Sequence, residues 1–224
     1  MINELSREDV EDILIGATLF GAGGGGELDE GLGLLDEAVA AGKTFRMASL
    51  PDVPDDALLC TPYLLGAISD LPDWDAARTP DGIHPILLAY RRMRQYLGQP
   101  IFGTVACELG GSNTAVPFYV AAFEEGVVID ADPAGRAVPE ITHSAYYLHG
   151  LPASPIVTTN ARGEVMVLEN IADDQRAETL VRALAVVSGN DIAAVDHALS
   201  ATSLRSALIP RTLSHARKVG QILR

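Results

Sequence analysis

Apolar residues near the start of the chain recur with the period of an α-helix. Within Val10–Ala17 they lie three and four positions apart, which places them on one helical face. The preceding segment S-R-E-D, which begins at Ser6, has the capping-box pattern that opens a helix. We therefore predict a first helix that ends near Phe20 and a second helix over Glu27–Ala41 that stops at Gly42.

Farther along, apolar runs without the helical period alternate with helical patterns. A run that is apolar on both faces, such as PIFGTVA, is typical of a buried parallel strand. The predicted strands are Phe45–Leu50, Ala57–Leu65, Pro100–Ala106 and Val127–Asp130. The predicted helices are His84–Leu97 and Asn113–Glu125, and a long loop is predicted over Ser69–Gly82.

The last third of the chain opens with a β-hairpin pattern. Two β-rich runs within Pro155–Asn170 flank the turn Asn160–Gly163. A helix is predicted over Asp173–Ser188, because its apolar residues share one face. We predict a last strand over Ile192–Leu199 and a partly helical segment over Leu204–Arg224.

This alternation of helices and buried strands through short links predicts an α/β fold. The sheet should be mostly parallel and covered by helices on both faces, which makes three layers, with the hairpin as a small excursion. No internal repeat, low-complexity segment or linker is visible, so we predict a single domain over residues 1–224.

Composition limits the possible partners. The chain has 224 residues, of which 48% are hydrophobic and 21% charged, as in ordinary globular proteins. The net charge of −14 disfavours nucleic acid and anionic membranes, because phosphate contacts need clustered Lys and Arg. Arg91, Arg92 and Arg94 are interpreted as a solvated helix face.

The N-terminal segment lacks a signal-peptide pattern, and no apolar run reaches the roughly 20 residues that span a bilayer. These features predict a cytoplasmic protein. The two cysteines are too few for a disulfide framework in a chain of this length. Cys60 lies in the middle of a predicted strand and is expected to be part of the core.

The segment GAGGGG formally matches the dinucleotide-binding pattern G-x-G-x-x-G. Such a site requires a preceding strand, whereas a helix is predicted here, and the acidic residues that follow oppose a bound phosphate. Two interpretations of the run remain open. It is either a tight bend with positive φ between two helices, or a stretch in which backbone N–H groups of Gly23, Gly24 and Gly25 line a small-molecule site.

The segment ELGGSN follows a predicted buried strand, at the position where α/β proteins place their chemistry. Glu108 is suited to act as a general base or a hydrogen-bond anchor. Gly110 and Gly111 permit an unusual backbone path, and Ser112 or Asn113 can cap the next helix. The free N–H groups of this segment are expected to bind a substrate carbonyl or an oxyanion.

The segment DADPAGRAVPE follows the next predicted strand. Asp130 and Asp132 lie two apart on an extended segment, so both side chains point the same way and would cluster with Glu108. Arg136 would neutralise this cluster or bind a substrate carboxylate or imide. The alternative is structural, with the aspartates capping turns and Arg136 in an ion pair.

Glu140 stands at the predicted start of a further helix, with His143 one turn later on the same face. Carboxylates with a nearby histidine can bind a metal, but this spacing specifies none.

Cys107 has two interpretations. A cysteine at the end of a strand, followed by glycines and a helix N-terminus, is in a setting that lowers a thiol pKa, so it is a candidate nucleophile. Alternatively it is a small buried thiol of the core.

Four segments, FGAGGGG, ELGGSN, DADPAGRAVPE and TLSHARKVG, together resemble the N-terminal domain of the S-methyl-thiohydantoin desulfurase family, and they extend from Phe20 to Gly220. The resemblance implies an α/β domain and a cysteine-dependent hydrolysis of the C–S bond of an S-methylated thiohydantoin. The products would be a hydantoin and methanethiol. Members usually continue into a second, β-rich domain, which we expect to be absent here, because the chain stops at Arg224.

By motif match, the family positions are Glu108, Gly110, Gly111, Asn113, Asp130, Asp132, Gly135, Arg136 and Glu140. The ring would lie between the glycine run and the two strand ends. Arg136 and backbone N–H groups would hold its carbonyls, while Glu108, Asp130 or Asp132 would activate water or the Cys107 thiol. We expect no cofactor, and we leave a homo-oligomer open.

A second hypothesis belongs to another class of function. The family occurs beside hydantoinases and oxoprolinases, so the chain is alternatively a non-catalytic partner of such an enzyme or a small-molecule-binding domain.

Overall fold

An eight-stranded sheet runs through the part of the chain that this computed structural model describes, residues 2–72, 74, 79 and 81–224. Its strands are β1 (Ile2–Leu5), β2 (Phe45–Ala48), β3 (Leu58–Gly66), β4 (Gly103–Thr104), β5 (Val127–Ile129), β7 (Ile156–Thr159), β8 (Val165–Leu168) and β9 (Asp191–Ser200). Two further strands, β6 (Ala131–Asp132) and β10 (Ile209–Pro210), pair with each other. The order across the large sheet is β1-β2-β5-β4-β3-β9-β7-β8.

The four central strands β2, β5, β4 and β3 are parallel to one another. The outer pairs are antiparallel, namely β1 with β2, β3 with β9, β9 with β7 and β7 with β8. The α/β prediction is therefore confirmed, with a parallel core and antiparallel margins. The predicted hairpin is β7–β8. The hairpin is part of the main sheet, since β7 pairs with β9. All four residues of β7 are buried.

Helices cover both faces of the sheet, as predicted. They are α1 (Arg7–Gly21), α2 (Leu28–Ala40), α3 (Pro85–Leu97), α4 (Ala115–Phe123), α5 (Ala145–Leu148), α6 (Asp174–Val187), α7 (Ala201–Leu204) and α8 (Thr212–Leu223). Apolar residues of α1, α2, α3, α4 and α8 form the core on one face. Residues of α5, α6 and α7 form two smaller cores on the other face. Within the described residues, no helix is long and apolar enough to cross a membrane.

Several boundaries differ from the sequence predictions. Hydrogen bonds from the backbone of Phe102 and Val105 to β3 extend the pairing beyond the two residues of β4. The helix predicted to begin at Pro139 is wrong. A 3₁₀ turn over Ile141–His143 stands there instead, because Ser144 is extended and its side chain begins the separate helix α5. Of the loop predicted over residues 69–82, positions 73, 75–78 and 80 lie outside the described residues.

The first and last helices pack against each other through two glycines. A Cβ on Gly16 would lie 1.8 Å from the carbonyl oxygen of Ala216, and one on Gly220 would lie 1.8 Å from that of Asp12. Only glycine permits this backbone-to-backbone approach of α1 and α8. The capping box of α1 is also present as predicted, with hydrogen bonds between Ser6 and Asp9 in both directions.

We predict that Gly16→Ala lowers the free energy of unfolding by about 1–3 kcal/mol, because the added methyl group overlaps the backbone of α8. The matched control is Gly33→Ala in α2, where a Cβ meets no atom within 4 Å. This control should raise stability by about 0.5–1 kcal/mol, since alanine favours a helix interior. Urea unfolding measures both changes. Equal effects of the two substitutions would contradict the close helix contact.

Candidate active site

A cavity of about 410 Å³ opens at the carboxyl ends of the parallel strands β3 and β4. Its wall is built from β3, the glycine run, the start of α2, the segment after β4, the segment between β6 and β7 that includes α5, one face of α6, and β9. Residues of each stretch that line it include Gly25, Gly26, Tyr63, Cys107, Glu108, Asn113, Glu140, Tyr146, Arg182, Asp196 and His197. The cavity thus lies at the edge of the sheet where the sequence places the chemistry.

Glu108 is anchored at this edge by two hydrogen bonds. Its Oε1 accepts from Asn113 Nδ2 at 2.8 Å, and its Oε2 accepts from the backbone N–H of Val138 at 2.6 Å. Burial raises the pKa of Glu108, while these two donors limit the rise. The side chain therefore joins the two polar segments that the sequence singled out.

Asn113 connects the same segment to β3. Its Oδ1 accepts from the backbone N–H of Leu64 at 2.8 Å, and its Nδ2 donates to the Leu64 carbonyl at 3.1 Å. Both donors and the acceptor of the amide are thus engaged by protein groups. Asn113 lines the cavity but positions its wall and does not cap a helix, since α4 begins at Ala115 after Thr114.

The glycine run packs backbone to backbone on the segment that follows Glu108. A Cβ on Gly25 would lie 2.6 Å from the Cα of Gly110, and one on Gly111 would lie 2.5 Å from the backbone nitrogen of Leu28. The carbonyl of Gly25 accepts from the N–H groups of both Ser112 and Asn113, at 3.1 and 2.9 Å.

This packing uses the N–H groups that were expected to hold an oxyanion. Those of Ser112 and Asn113 donate to Gly25, and that of Gly110 donates to Thr114 Oγ1 at 3.0 Å. The expectation that these groups are free is therefore wrong. Their role is to fix the loop on which Glu108 and Asn113 stand.

The glycine run fits both interpretations that the sequence left open, a bend between helices and a lining of a site. It is a bend between two helices, with positive φ at Ala22, Gly23, Gly25 and Gly26, and two of its residues line the cavity. These two are Gly25 and Gly26, whereas Gly23 and Gly24 lie outside the cavity lining. The helix α1 leads directly into the run, so the strand–loop–helix arrangement of a dinucleotide site is not formed here.

Cys107 is half-buried and lines the cavity. Burial raises the pKa of its thiol well above the ordinary value, and the nearby carboxylates of Glu108, Asp196 and Asp132 raise it further. The lowered pKa that one of the two interpretations expected is therefore wrong. The physical reason is that α4 begins eight positions later, so no helix N-terminus follows the thiol directly. Cys107 also packs against a core cluster, as the other interpretation expected. Cys60 is fully buried in the core, as expected.

A buried Asp–His pair that was not predicted from the sequence also faces this cavity. The Nδ1 of His197 lies 2.7 Å from the Oδ1 of Asp196, and both side chains are at most 3% exposed. The other carboxylate oxygen of Asp196 accepts from the Tyr63 hydroxyl at 3.0 Å. Two adjacent ionisable residues within the apolar run IAAVDHALS were the available signal.

A β-bulge brings the two neighbouring side chains to the same place. Pairing between β3 and β9 shifts in register, so that Leu59 faces Leu199 while Thr61 faces Asp196. His197 sits in this bulge with φ +41°. Successive residues of a regular strand point to opposite faces, and the bulge removes that alternation.

Asp130 and Asp132 are buried but are held by partners of their own. Asp130 accepts from the backbone N–H and the hydroxyl of Ser214, at 2.9 and 2.5 Å, and so caps α8. Asp132 Oδ2 accepts from the N–H groups of Ala134 and Gly135, at 2.9 and 2.7 Å, within a turn. Neither aspartate is part of the cavity lining, so the predicted cluster with Glu108 is not assembled there.

The remaining predicted residues are distributed around the rim. Glu140 lines the cavity, while His143, at 3.5 Å from it, points into solvent and does not. Arg136 is exposed and outside the cavity, with its Nε donating to the carbonyl of Ala137. The arginine that does line the cavity is Arg182 of α6, which binds Glu178.

The lining is acidic. It contains Glu30, Glu108, Glu140, Glu178, Asp191 and Asp196, with Arg182 as the single arginine in the described wall. This charge favours a neutral or cationic ligand over an anionic one. Among residues 2–72, 74, 79 and 81–224, no three His, Cys, Asp or Glu side chains are grouped so as to hold a metal ion.

Fold and cavity together define an α/β domain with a cavity at the carboxyl edge of its parallel strands. A family model, the S-Me-THD-like N-terminal domain, matches residues 8–170. The match covers more than half of the chain, and the chain therefore belongs to this family. The resemblance to the S-methyl-thiohydantoin family is thus confirmed.

A protein from Chromobacterium violaceum whose crystal structure has been solved has the same fold. Its TM-score is 0.80 at 27% sequence identity, and the alignment covers 99% of this chain. The present chain spans 61% of that longer protein. A comparison with curated proteins finds no match.

The buried turn at Asp132 predicts how stability depends on pH. Burial raises the pKa of Asp132 from 3.8 to about 6, so the folded protein binds a proton that the unfolded chain has already released. Stability should therefore fall by about 1–3 kcal/mol as the pH rises from about 4 to above 6.

Asp132→Asn keeps an acceptor for the two N–H groups but carries no charge, so its unfolding free energy should be flatter over this pH range. Asp56→Asn, at an exposed position, is the matched control and should keep the wild-type profile. Urea titrations at pH 4, 5, 6 and 7 measure the difference. An unchanged slope in Asp132→Asn would show that this carboxyl is not the group responsible.

Proposed function

We propose that the protein hydrolyses the C–S bond of an S-methylated thiohydantoin and releases a hydantoin and methanethiol. The observation that carries this proposal is the position of Cys107, which shares one cavity with Glu108 and with the buried Asp196–His197 pair. Membership in the S-Me-THD-like family supplies the class of ring. A thiol, an acidic side chain and an imidazole in one cavity are the groups that such a displacement requires.

The size and charge of the cavity support a compact, uncharged ring. Its volume of about 410 Å³ lies in the range of small-molecule sites, about 300–1,000 Å³. Its acidic wall disfavours ligands that carry a free carboxylate close to the reacting carbon. Glu108, with its raised pKa, is suited to hydrogen-bond a ring nitrogen or carbonyl in either protonation state.

The protonation state of Cys107 sets a requirement on the mechanism. Because burial and neighbouring carboxylates keep the thiol protonated, it is a weak nucleophile in the resting protein. The reaction therefore needs a base close to the thiol.

The same observation favours a second candidate function. A thiol that stays protonated also suits a domain that binds the ring without cleaving it, as a partner of a hydantoinase or oxoprolinase would. Binding of the S-methylated ring with no release of methanethiol would favour this candidate.

We predict that the purified protein releases methanethiol from an S-methylated thiohydantoin, and that Cys107→Ala lowers the rate at least about 100-fold, because it removes the nucleophile. Headspace or thiol-reagent detection of methanethiol measures the rate. The matched control is Cys60→Ala, which removes a core thiol outside the cavity and should keep the rate.

The same assay on the longer Chromobacterium violaceum protein tests the reaction in a relative that extends beyond the aligned region. No methanethiol from either intact protein would contradict the proposed reaction. Unchanged turnover in Cys107→Ala would show that the protein catalyses the reaction without the Cys107 thiol.

A further inference from the structure

The Asp196–His197 pair has the features of an acid–base device, namely a carboxylate bonded to an imidazole at the wall of a cavity. We propose that His197, oriented by Asp196, removes the proton from the Cys107 thiol and later returns it to the departing methanethiolate. This inference rests on the proposed function for its second step. Its first step concerns the thiol alone and is testable without substrate.

The hydrogen bond between the two residues defines which imidazole nitrogen is available. An ionised Asp196 only accepts, so the Nδ1 of His197 carries the proton and donates it across 2.7 Å. The Nε2 is then the basic nitrogen. It is buried and has no hydrogen-bond partner among the described residues, although buried polar atoms are nearly always paired.

A buried Nε2 without a hydrogen bond lowers the stability of the folded protein, unless a ligand or a reacting group forms that hydrogen bond. His197 lines the same cavity as Cys107, and its Nε2 makes no hydrogen bond to the thiol. Contacts of this kind often shorten only when substrate is bound. The thiol and the imidazole therefore share a wall on which a ring can bring them into contact.

The imidazole is held from three sides. The ring of Tyr146 stacks on it at a centroid distance of 4.2 Å and an angle of 30°. Tyr63 donates to Asp196, and the positive φ of His197 fixes its backbone in the bulge. A non-glycine residue in this region is uncommon, and such strain is concentrated at functional sites. A histidine that served only as core packing would not need any of these constraints.

Cys107, Tyr63 and Tyr146 share the cavity with the imidazole. The acidic groups that act on these three residues come from several elements, and they are Asp196 on β9, Glu108 after β4, Asp132 on β6 and Glu178 on α6. Both tyrosines have raised pKa values because they are buried, so they stay neutral. Of these neighbours, Asp196 contacts the imidazole nitrogen directly.

The proposed steps balance in atoms and electrons. His197 Nε2 takes the thiol proton while the Cys107 sulfur bonds to the ring carbon, and the C=N electron pair moves to the ring nitrogen. That pair returns as the bond to the S-methyl group breaks, and methanethiolate takes the proton from Nε2. A water molecule then adds to the same carbon and gives a proton to Nε2, and the C=N electron pair moves again to the ring nitrogen. That pair returns as the bond to the Cys107 sulfur breaks, and the thiolate takes the proton from Nε2. The proton left on the added oxygen moves to the ring nitrogen and gives the hydantoin. One water is consumed and one methanethiol is released.

The test measures alkylation of Cys107 by iodoacetamide, followed by peptide mass spectrometry, in wild type and in His197→Asn. Asparagine is chosen because it tolerates positive φ. We expect His197→Asn to lower the alkylation rate of Cys107 at pH 7 at least about tenfold relative to wild type, because the variant lacks a base that can take the thiol proton. Added imidazole should restore part of it.

Graded variants distinguish acid–base chemistry from packing. Asp196→Asn can donate to Nδ1 and so forces the proton onto Nε2, which should lower methanethiol release at least about 100-fold. Tyr63→Phe keeps the carboxylate–imidazole bond, so its loss should be under about tenfold. His149→Gln, at an exposed position away from the cavity, is the control and should match wild type.

Near-ultraviolet circular dichroism and thermal melting establish that each variant is folded. If His197→Asn does not fold, two other measurements test the proposal. They are methanethiol release by Asp196→Asn and the nitrogen-15 spectrum of the histidines in wild type. That spectrum should contain an imidazole whose proton stays on Nδ1, and a proton fixed on Nε2 would overturn the proposal.

The proposal would also be overturned if folded His197→Asn were alkylated at Cys107 and released methanethiol at the same rates as wild type. If methanethiol is never formed but the alkylation difference is present, the proposed reaction fails while the role of His197 toward the thiol stands.

Discussion

The glycine run and the segment after β4 meet backbone to backbone, and the geometry of the cavity depends on this contact. At Gly25, Gly110 and Gly111 a single added carbon would overlap main-chain atoms of the opposite segment. Two N–H groups bond to one carbonyl across the junction. Because the backbones touch, Glu108 and Asn113 are held against β3, and Cys107 is turned into the same space.

The second constraint is the bulge in β9. Its side chains line the same cavity as the segment after β4. An extra residue in one strand aims two neighbouring ionisable side chains at one cavity, and Tyr63 and Tyr146 fix the pair there. Burial raises the pKa of Cys107 well above its ordinary value, so the thiol tends to keep its proton. In that setting the imidazole is the group best suited to accept one.

Much of the fold follows from periodicity alone, since each helix and each central strand has its own local pattern. The importance of the segment after β4 was also predictable, because polar residues and glycines directly follow a buried strand. Contacts between residues far apart in the sequence could not be predicted from local patterns. Asp130 resembles a catalytic acid until Ser214, 84 positions later, is seen to bind it. Asp196 and His197 resemble strand residues until a register shift, visible only in the sheet, places them beside Cys107.

A crystal structure of the protein with a hydantoin bound is the most direct test of the cavity as the reaction site. The ring should lie in the cavity with its C2 carbon in contact with the Cys107 sulfur, within hydrogen-bond reach of Glu108 and beside the Nε2 of His197. A ring bound elsewhere, or one in the cavity that touches neither Cys107 nor His197, would contradict this assignment.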